Sequence, residues 1–149
     1  MIAVIQRVLE ASVKVDGQIV GQIGPGLIVL ASIQPGDNEK ELSWMAGKIC
    51  TLRIFRNGEK HFDVDVQQTG GGILLVSQFT LAADATQGRR PSFIGAAKPD
   101  EAEKLFARFV EIVRATDVPV QTGQFAADMK VSLINDGPAT FILESPVKN

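Results

Sequence analysis

Few side chains here can do covalent or acid–base chemistry unaided. The chain has one histidine, His61, and one cysteine, Cys50. His61 follows an Asn57-Gly58 turn and opens an alternating stretch, which fits an exposed histidine at a strand edge better than a catalytic base. A Ser-His-Asp triad would rest on this one imidazole, and the sequence gives no sign of a partnered serine. One His and one Cys are too few for a Cys/His zinc site within one chain. A single Cys excludes an internal disulfide framework and fits a reducing compartment. Cys50 ends a helical pattern and reads as a core thiol. Asp63 and Asp65 fall on one face of the stretch Phe62-Asp63-Val64-Asp65-Val66. A carboxylate pair could act in glycoside hydrolysis, but the alternation already asks for polar residues there. Gly70-Gly71-Gly72 precedes a strand, not a helix, and so reads as a turn, not as a phosphate cradle.

Two segments remain. In the first, the apolar strand Ile73-Leu74-Leu75-Val76 runs into Ser77-Gln78-Phe79-Thr80-Leu81. Strand periodicity puts Gln78 and Thr80 on one face, Ser77 and Phe79 on the other. A hydroxyl and an amide at the end of a buried strand can orient a substrate; they can equally satisfy stray backbone groups. Thr80 without a neighbouring base is a poor nucleophile. The second is Asn135-Asp136-Gly137-Pro138-Ala139-Thr140. Glycine reaches angles closed to other residues, and an X-Pro bond is where a cis peptide is cheap. Such a segment can aim its carbonyls in an unusual direction, or simply be a turn between two strands.

The elements that must hold these segments are mostly strands. Ile2 to Leu9 alternates. Ala11 to Val15 and Gln18 to Ile23 flank Asp16-Gly17, a strong hairpin signal. Leu27 to Leu30 reads as a strand buried on both faces. Asn38 with Glu41 resembles a capping box ahead of Leu42, Met45, Ala46 and Ile49 at helical spacing. Leu52 to Phe55, Phe62 to Val66, Ile73 to Leu81, Met129 to Ile134 and Thr140 to Leu143 read as further strands, with a short strand or linker at Val118-Pro119-Val120. The second main helix begins at Pro99, the position where proline is pre-organised, and buries Ala102, Leu105, Phe106, Phe109, Val110 and Val113. Ala82 to Gly95 is a long loop, and loops of that length are often functional. Strands with two main helices, without regular βα alternation, predict one α/β or α+β domain over residues 1–149 with mixed or antiparallel sheets.

Composition bounds the partners. The 149 residues are 45% hydrophobic and 21% charged, with a formal net charge of −2. No apolar run approaches the ~20 residues of a spanning helix, and the apolar start is too short, and interrupted by Arg7, for a signal peptide. The expectation is a cytoplasmic protein with no membrane partner. A broad nucleic-acid binder is usually basic, so any such contact must be local. Arg89, Arg90 and Lys98 are the candidates for phosphate contacts.

Ser77-Gln78-Phe79-Thr80 and Asn135-Asp136-Gly137-Pro138-Ala139-Thr140 together resemble the two signature motifs of the D-aminoacyl-tRNA deacylases. Gln6-Arg7-Val8, Leu52-Arg53-Ile54-Phe55, Gly88-Arg89-Arg90-Pro91-Ser92-Phe93 and Phe125-Ala126-Ala127-Asp128-Met129 fall where that family has similar stretches, so the resemblance covers essentially the whole chain. It implies a β/β/α layered, barrel-like fold and a homodimer. It implies a hydrolase that cleaves the ester of D-aminoacyl-tRNA, and glycyl esters on mischarged tRNA, with no cofactor, no metal and no DNA partner. Ser77, Gln78, Phe79 and Thr80 would form the catalytic stretch. Gly137-Pro138 would be cis, enter the partner's site and exclude L-side chains with its carbonyls. Arg7 would support that segment across the interface. Phe125 and Met129 would lie at the pocket for the terminal adenosine. Water would attack with help from the ribose hydroxyl, and backbone N–H groups near Phe79 and Thr80 would hold the oxyanion; Thr80 as a covalent nucleophile is the rival. Because a main-chain wall ignores the D-side chain, broad D-substrate scope is expected.

The chain departs from the family pattern at His61-Phe62, where Lys-Met is more usual, and at Ser32-Ile33-Gln34, where Gly-Val-Glu is. These bear on side-chain preference, not on the signatures. Beside the resemblance stand a dimeric scaffold, for which Gly137-Pro138 is only a turn, and two other readings. One is a relative with a trans Gly-Pro that clears L-alanyl esters from the wrong tRNA. The other is a tRNA-binding module without catalysis.

Overall fold

The computed structural model describes residues 1–146. Strand β1 (Ile2–Val15) is its spine. One edge of β1 pairs antiparallel with β8 (Lys130–Glu144) along nearly its whole length. The other edge pairs first with β3 (Gly26–Ser32), through residues 2–8, and then with β2 (Gln18–Ile23), through residues 11–15. Parallel additions extend the sheet: β6 (Gly72–Ser77) lies beside β3, and β7 (Val120–Thr122) beside β6. The sheet then curls until β2 meets β7. The closure is tight, since a Cβ on Gly21 would stand 2.2 Å from the carbonyl oxygen of Thr122. This is the mixed sheet expected from the strand pattern, in the barrel-like form that the resemblance implies.

Both faces of the sheet are apolar, as the continuous hydrophobic runs of β3 and β6 require. Leu27, Val29, Ile73 and Leu75 face α1 (Glu39–Thr51) and α3 (Pro99–Arg114) in one core. Ile28, Leu74 and Val76 face Val8, Ala11 and Val13 in a second core inside the curl. Successive residues thus serve opposite cores, the period-2 consequence of strand geometry. The predicted caps form: Asn38 accepts from Lys40 N and Glu41 from Asn38 N, at 3.0 and 2.9 Å, and Pro99 opens α3.

Four expectations are corrected. Leu52 to Ile54 is not a strand; pairing begins only with β4 (Phe55–Asn57), which forms a small separate sheet with β5 (Lys60–Val64). The exposed His61 lies on β5. Asp65 and Val66 leave the strand, because Asp65 caps a one-turn helix, α2 (Val66–Thr69), in a reciprocal box with Gln68. A local capping bond outcompetes two more residues of alternation, so Asp63 and Asp65 do not share a strand face. The strand from Ile73 stops at Ser77, and Phe79–Ala82 is a 3-10 turn. Finally, residues 135–138 do not reverse the chain: they lie inside β8, which runs on past them beside β1.

Candidate active site

Two structures built by the signature segments lie apart in this chain. The first is a cleft of about 440 Å³ between the end of β6, the start of α3 and the loop before β8. Ser77, Gln78 and Phe79 form one wall, and Phe125 and Met129 another. Main-chain bonds fix the first wall: Gln78 N donates to the Ala31 carbonyl at 2.8 Å, continuing the β3–β6 contact by one residue beyond the strand. The chain then tightens, and Leu81 N donates back to Gln78 O at 3.2 Å. The N–H groups of Phe79 and Thr80 precede that first bond, so the turn itself gives them no carbonyl partner. The period-2 assignment for residues 77–80 therefore fails, yet Gln78 and Thr80 still meet: Gln78 Nε2 donates to Thr80 Oγ1. Thr80 itself is exposed and does not line the cleft.

The second wall rests on α3. The Phe125 ring packs on Phe106 at 6.2 Å, and Met129 Sδ accepts from Gln124 N at 3.4 Å. Between them Ala126 takes a left-handed φ of 61°, a conformation that costs a residue with a Cβ about 1 kcal/mol. Ala96, Ala97 and Ala102 complete a wall of methyl groups. Sequence reasoning gave these alanines no place in the site, since they carry no chemistry, and named Ala102 only for the buried helix face; only the length of the preceding loop pointed there. Asp128 is the one charged side chain at the cleft, and it pairs with Lys130 at 2.8 Å.

The second structure is the Gly137-Pro138 segment. Gln6 pairs with Thr140 and Val8 with Asn135, so residues 136–139 bulge out opposite Arg7 alone. Asn135 closes the bulge at its base: Oδ1 accepts from Ala139 N at 2.7 Å and Nδ2 donates to Thr140 Oγ1 at 3.0 Å. Arg7 braces it from below. Its buried guanidinium donates to the Asp136 carbonyl at 2.8 Å and to the Ile54 carbonyl at 2.7 Å, and lies over the Phe62 ring. Arg56, which sequence reasoning also missed, pairs with the Asp136 carboxylate at 3.3 Å. Within its own chain, Arg7 thus ties the bulge to the residue before β4. The Gly137-Pro138 peptide is cis. Both residues are exposed, and neither lines the cleft of its own chain.

Other ionisable groups stand away from the cleft. Burial pushes the Cys50 thiol above its ordinary range, as expected of a core thiol. Bonds from the Thr86 hydroxyl and N–H hold Asp84 below the usual carboxylate range. Among the described residues, no three His, Cys, Asp or Glu side chains gather where they could hold a metal ion. No helix among them is long and apolar enough to cross a membrane.

Comparison with known proteins places this arrangement. The family model described as D-Tyr-tRNA(Tyr) deacylase matches residues 4–144. The chain belongs to the D-Tyr-tRNA(Tyr) deacylase family. A Geobacter metallireducens protein named D-aminoacyl-tRNA deacylase is 54% identical over 146 residues, 98% of this chain and 97% of that protein. The Myxococcus xanthus protein of the same name is 52% identical, covering 98% and 95%. Among solved structures, a c-Myc DNA unwinding element binding protein superposes with a TM-score of 0.93 at 42% identity, covering 99% of this chain and 100% of that one. A probable eukaryotic D-amino acid tRNA deacylase superposes with a TM-score of 0.81 at 18% identity, covering 95% and 97%; that likeness speaks for the deacylase fold.

Proposed function

We propose that this chain hydrolyses the ester that joins a D-amino acid to tRNA, releasing free D-amino acid and tRNA, and that it also clears glycyl esters from mischarged tRNA. The observation that carries the reading is the cleft. One wall comes from the first signature and the other from the Phe125–Met129 stretch, in a chain whose relatives are named for this activity. Water attacks the ester carbonyl with the neighbouring ribose hydroxyl as its proton relay. The N–H groups of Phe79 and Thr80 stabilise the oxyanion, which needs only fixed donors, not a titrating side chain. Gln78 and Thr80, tied to each other, orient these groups or order the water.

The working unit in this reading is a homodimer. Gly137 and Pro138 are exposed and lie outside their own cleft, so they can serve the cleft of a second copy. There their carbonyls would face the substrate's α-carbon and leave no room for an L-side chain. Glycine passes because it has nothing to clash, and D-side chains of many kinds pass because they point elsewhere. The decisive experiment is hydrolysis of matched D- and L-aminoacyl-tRNA by the purified chain. Release from several D-esters with the L-esters intact is expected. Equal hydrolysis of L-alanyl ester would favour the relative with relaxed chirality, and tRNA binding without ester loss would favour the non-catalytic module.

A further inference from the structure

From the segment 83–98 we infer a docking strip for the single-stranded 3′ end of the RNA, upstream of the terminal nucleotide; the inference rests on the hydrolase reading above. The segment leaves the catalytic turn at Ala83, and paired main-chain bonds of 2.8 Å between Asp84 and Ser92 fold it back. It returns to the cleft at Ala96 and Ala97, which line it. Its surface is therefore continuous with the cleft. The segment carries Arg89, Arg90 and Lys98 against one acid, Asp84 at its neck, in a chain with a net charge of −2. Among the described residues, Arg89 and Arg90 have no acidic partner, and neither does Arg114, whereas Arg7, Arg53, Arg56 and Arg108 each do.

Beside this charge lies an apolar surface. The Phe93 ring packs on Phe79 at 5.2 Å, and Phe79 and Ile94 are 59% and 97% exposed. Cations beside solvent-facing aromatic and apolar groups suit a single-stranded nucleic acid, whose phosphates meet the arginines while its bases lie on the rings. A duplex would hide those base faces.

The test uses a tRNA with its 3′ single strand intact, the same tRNA with that strand trimmed away, and a minimal D-aminoacyl ester of adenosine. Wild-type protein is expected to lose at least tenfold in affinity when the strand is trimmed. The R89A/R90A double variant should bind the intact tRNA about tenfold more weakly and lose less on trimming than wild type, keeping only the part of the loss that belongs to the terminal nucleotide in the cleft. Its log affinity against log salt should flatten by about 1.4, because each phosphate neutralised on a single strand adds about 0.7 to that slope. I94S should weaken intact-tRNA binding with the salt slope unchanged. Hydrolysis of the minimal ester should stay at the wild-type rate in both variants. Wild-type affinity and slope in R89A/R90A would overturn the proposal. So would a parallel drop on the minimal ester, which would make the loop a support of the cleft. If wild-type protein shows this binding pattern but hydrolyses neither ester, the docking strip stands and the hydrolase reading falls.

Discussion

Arg7 Nε donates to the main-chain carbonyl of Asp136 at 2.8 Å, across the pair of long strands β1 and β8. Arg7 is the single β1 residue opposite the four residues that bulge from β8. One buried cation thus holds the base of the exposed Gly137-Pro138 segment from inside the same chain, while a second bond, to the Ile54 carbonyl, ties it to the residue just before β4.

Arg7→Met should therefore cost both stability and selectivity. Two charge-assisted bonds disappear and two carbonyls are left without that donor, for roughly 3 kcal/mol. Urea unfolding measures the first effect. The second should appear as a smaller D/L ratio in hydrolysis, with D-ester turnover falling less than the ratio. A D/L ratio at the wild-type value in the folded variant would show that the brace does not shape the wall.

Thr80→Ala tests the proton path. If backbone donors and the ribose hydroxyl carry the reaction, single-turnover hydrolysis should fall by no more than about tenfold, well short of the ~10²–10⁴ attached to a general acid–base group. A loss of several orders of magnitude in both Thr80→Ala and Thr80→Val would support the covalent nucleophile instead.

Two glycines should respond in opposite directions. A Cβ at Gly21 would meet Thr122 O at 2.2 Å, where β2 closes on β7, so Gly21→Ala should lower stability by about 2 kcal/mol or more. Gly47, in α1, has open space around its Cβ position, so Gly47→Ala should raise stability by up to about 1 kcal/mol. Thermal melts of the pair check both signs.

Asp63 gives a pH dependence. The Asn57 amide bonds its carboxylate, and Lys60 and Arg53 flank it, so its pKa lies below the ordinary value. Its contribution is present above the unfolded-state value and is lost as pH falls through the folded one. Denaturation midpoints taken from pH 6 down to pH 3 should therefore fall more steeply in wild type than in Asp63→Asn. Parallel curves would mean that this cluster contributes nothing.

Much of this architecture can be read from residue patterns, for physical reasons. The hairpin at Asp16-Gly17, the buried β3, the capping box at Asn38 and the start of α3 at Pro99 each depend on neighbours within a few residues. Local chemistry decides them. The misread stretches are those where two local preferences compete or where a distant strand decides. Asp65 alternates with its neighbours yet caps a helix through Gln68. Asn135-Asp136-Gly137-Pro138 has turn composition, but pairing with β1 on both sides keeps it in a strand. The site divides the same way. The two signatures stand out as motifs, whereas the alanine wall and the Arg56–Asp136 pair come from tertiary packing that no spacing reveals.

The bulge opposite Arg7 has one more consequence. Ladder bonds continue on each side of it, from Val8 to Lys14 and from Ile2 to Gln6, and Asn135 locks its neck. It is not a loop that can fray by itself. To swing away it would have to break the bonds that Arg7 and Asn135 make at its base, while the ladder on each side keeps its two ends fixed. Amides on either side should exchange with solvent only as fast as the whole domain opens. If this segment sets stereochemical accuracy, then accuracy should hold constant with rising temperature and collapse only where the fold itself does.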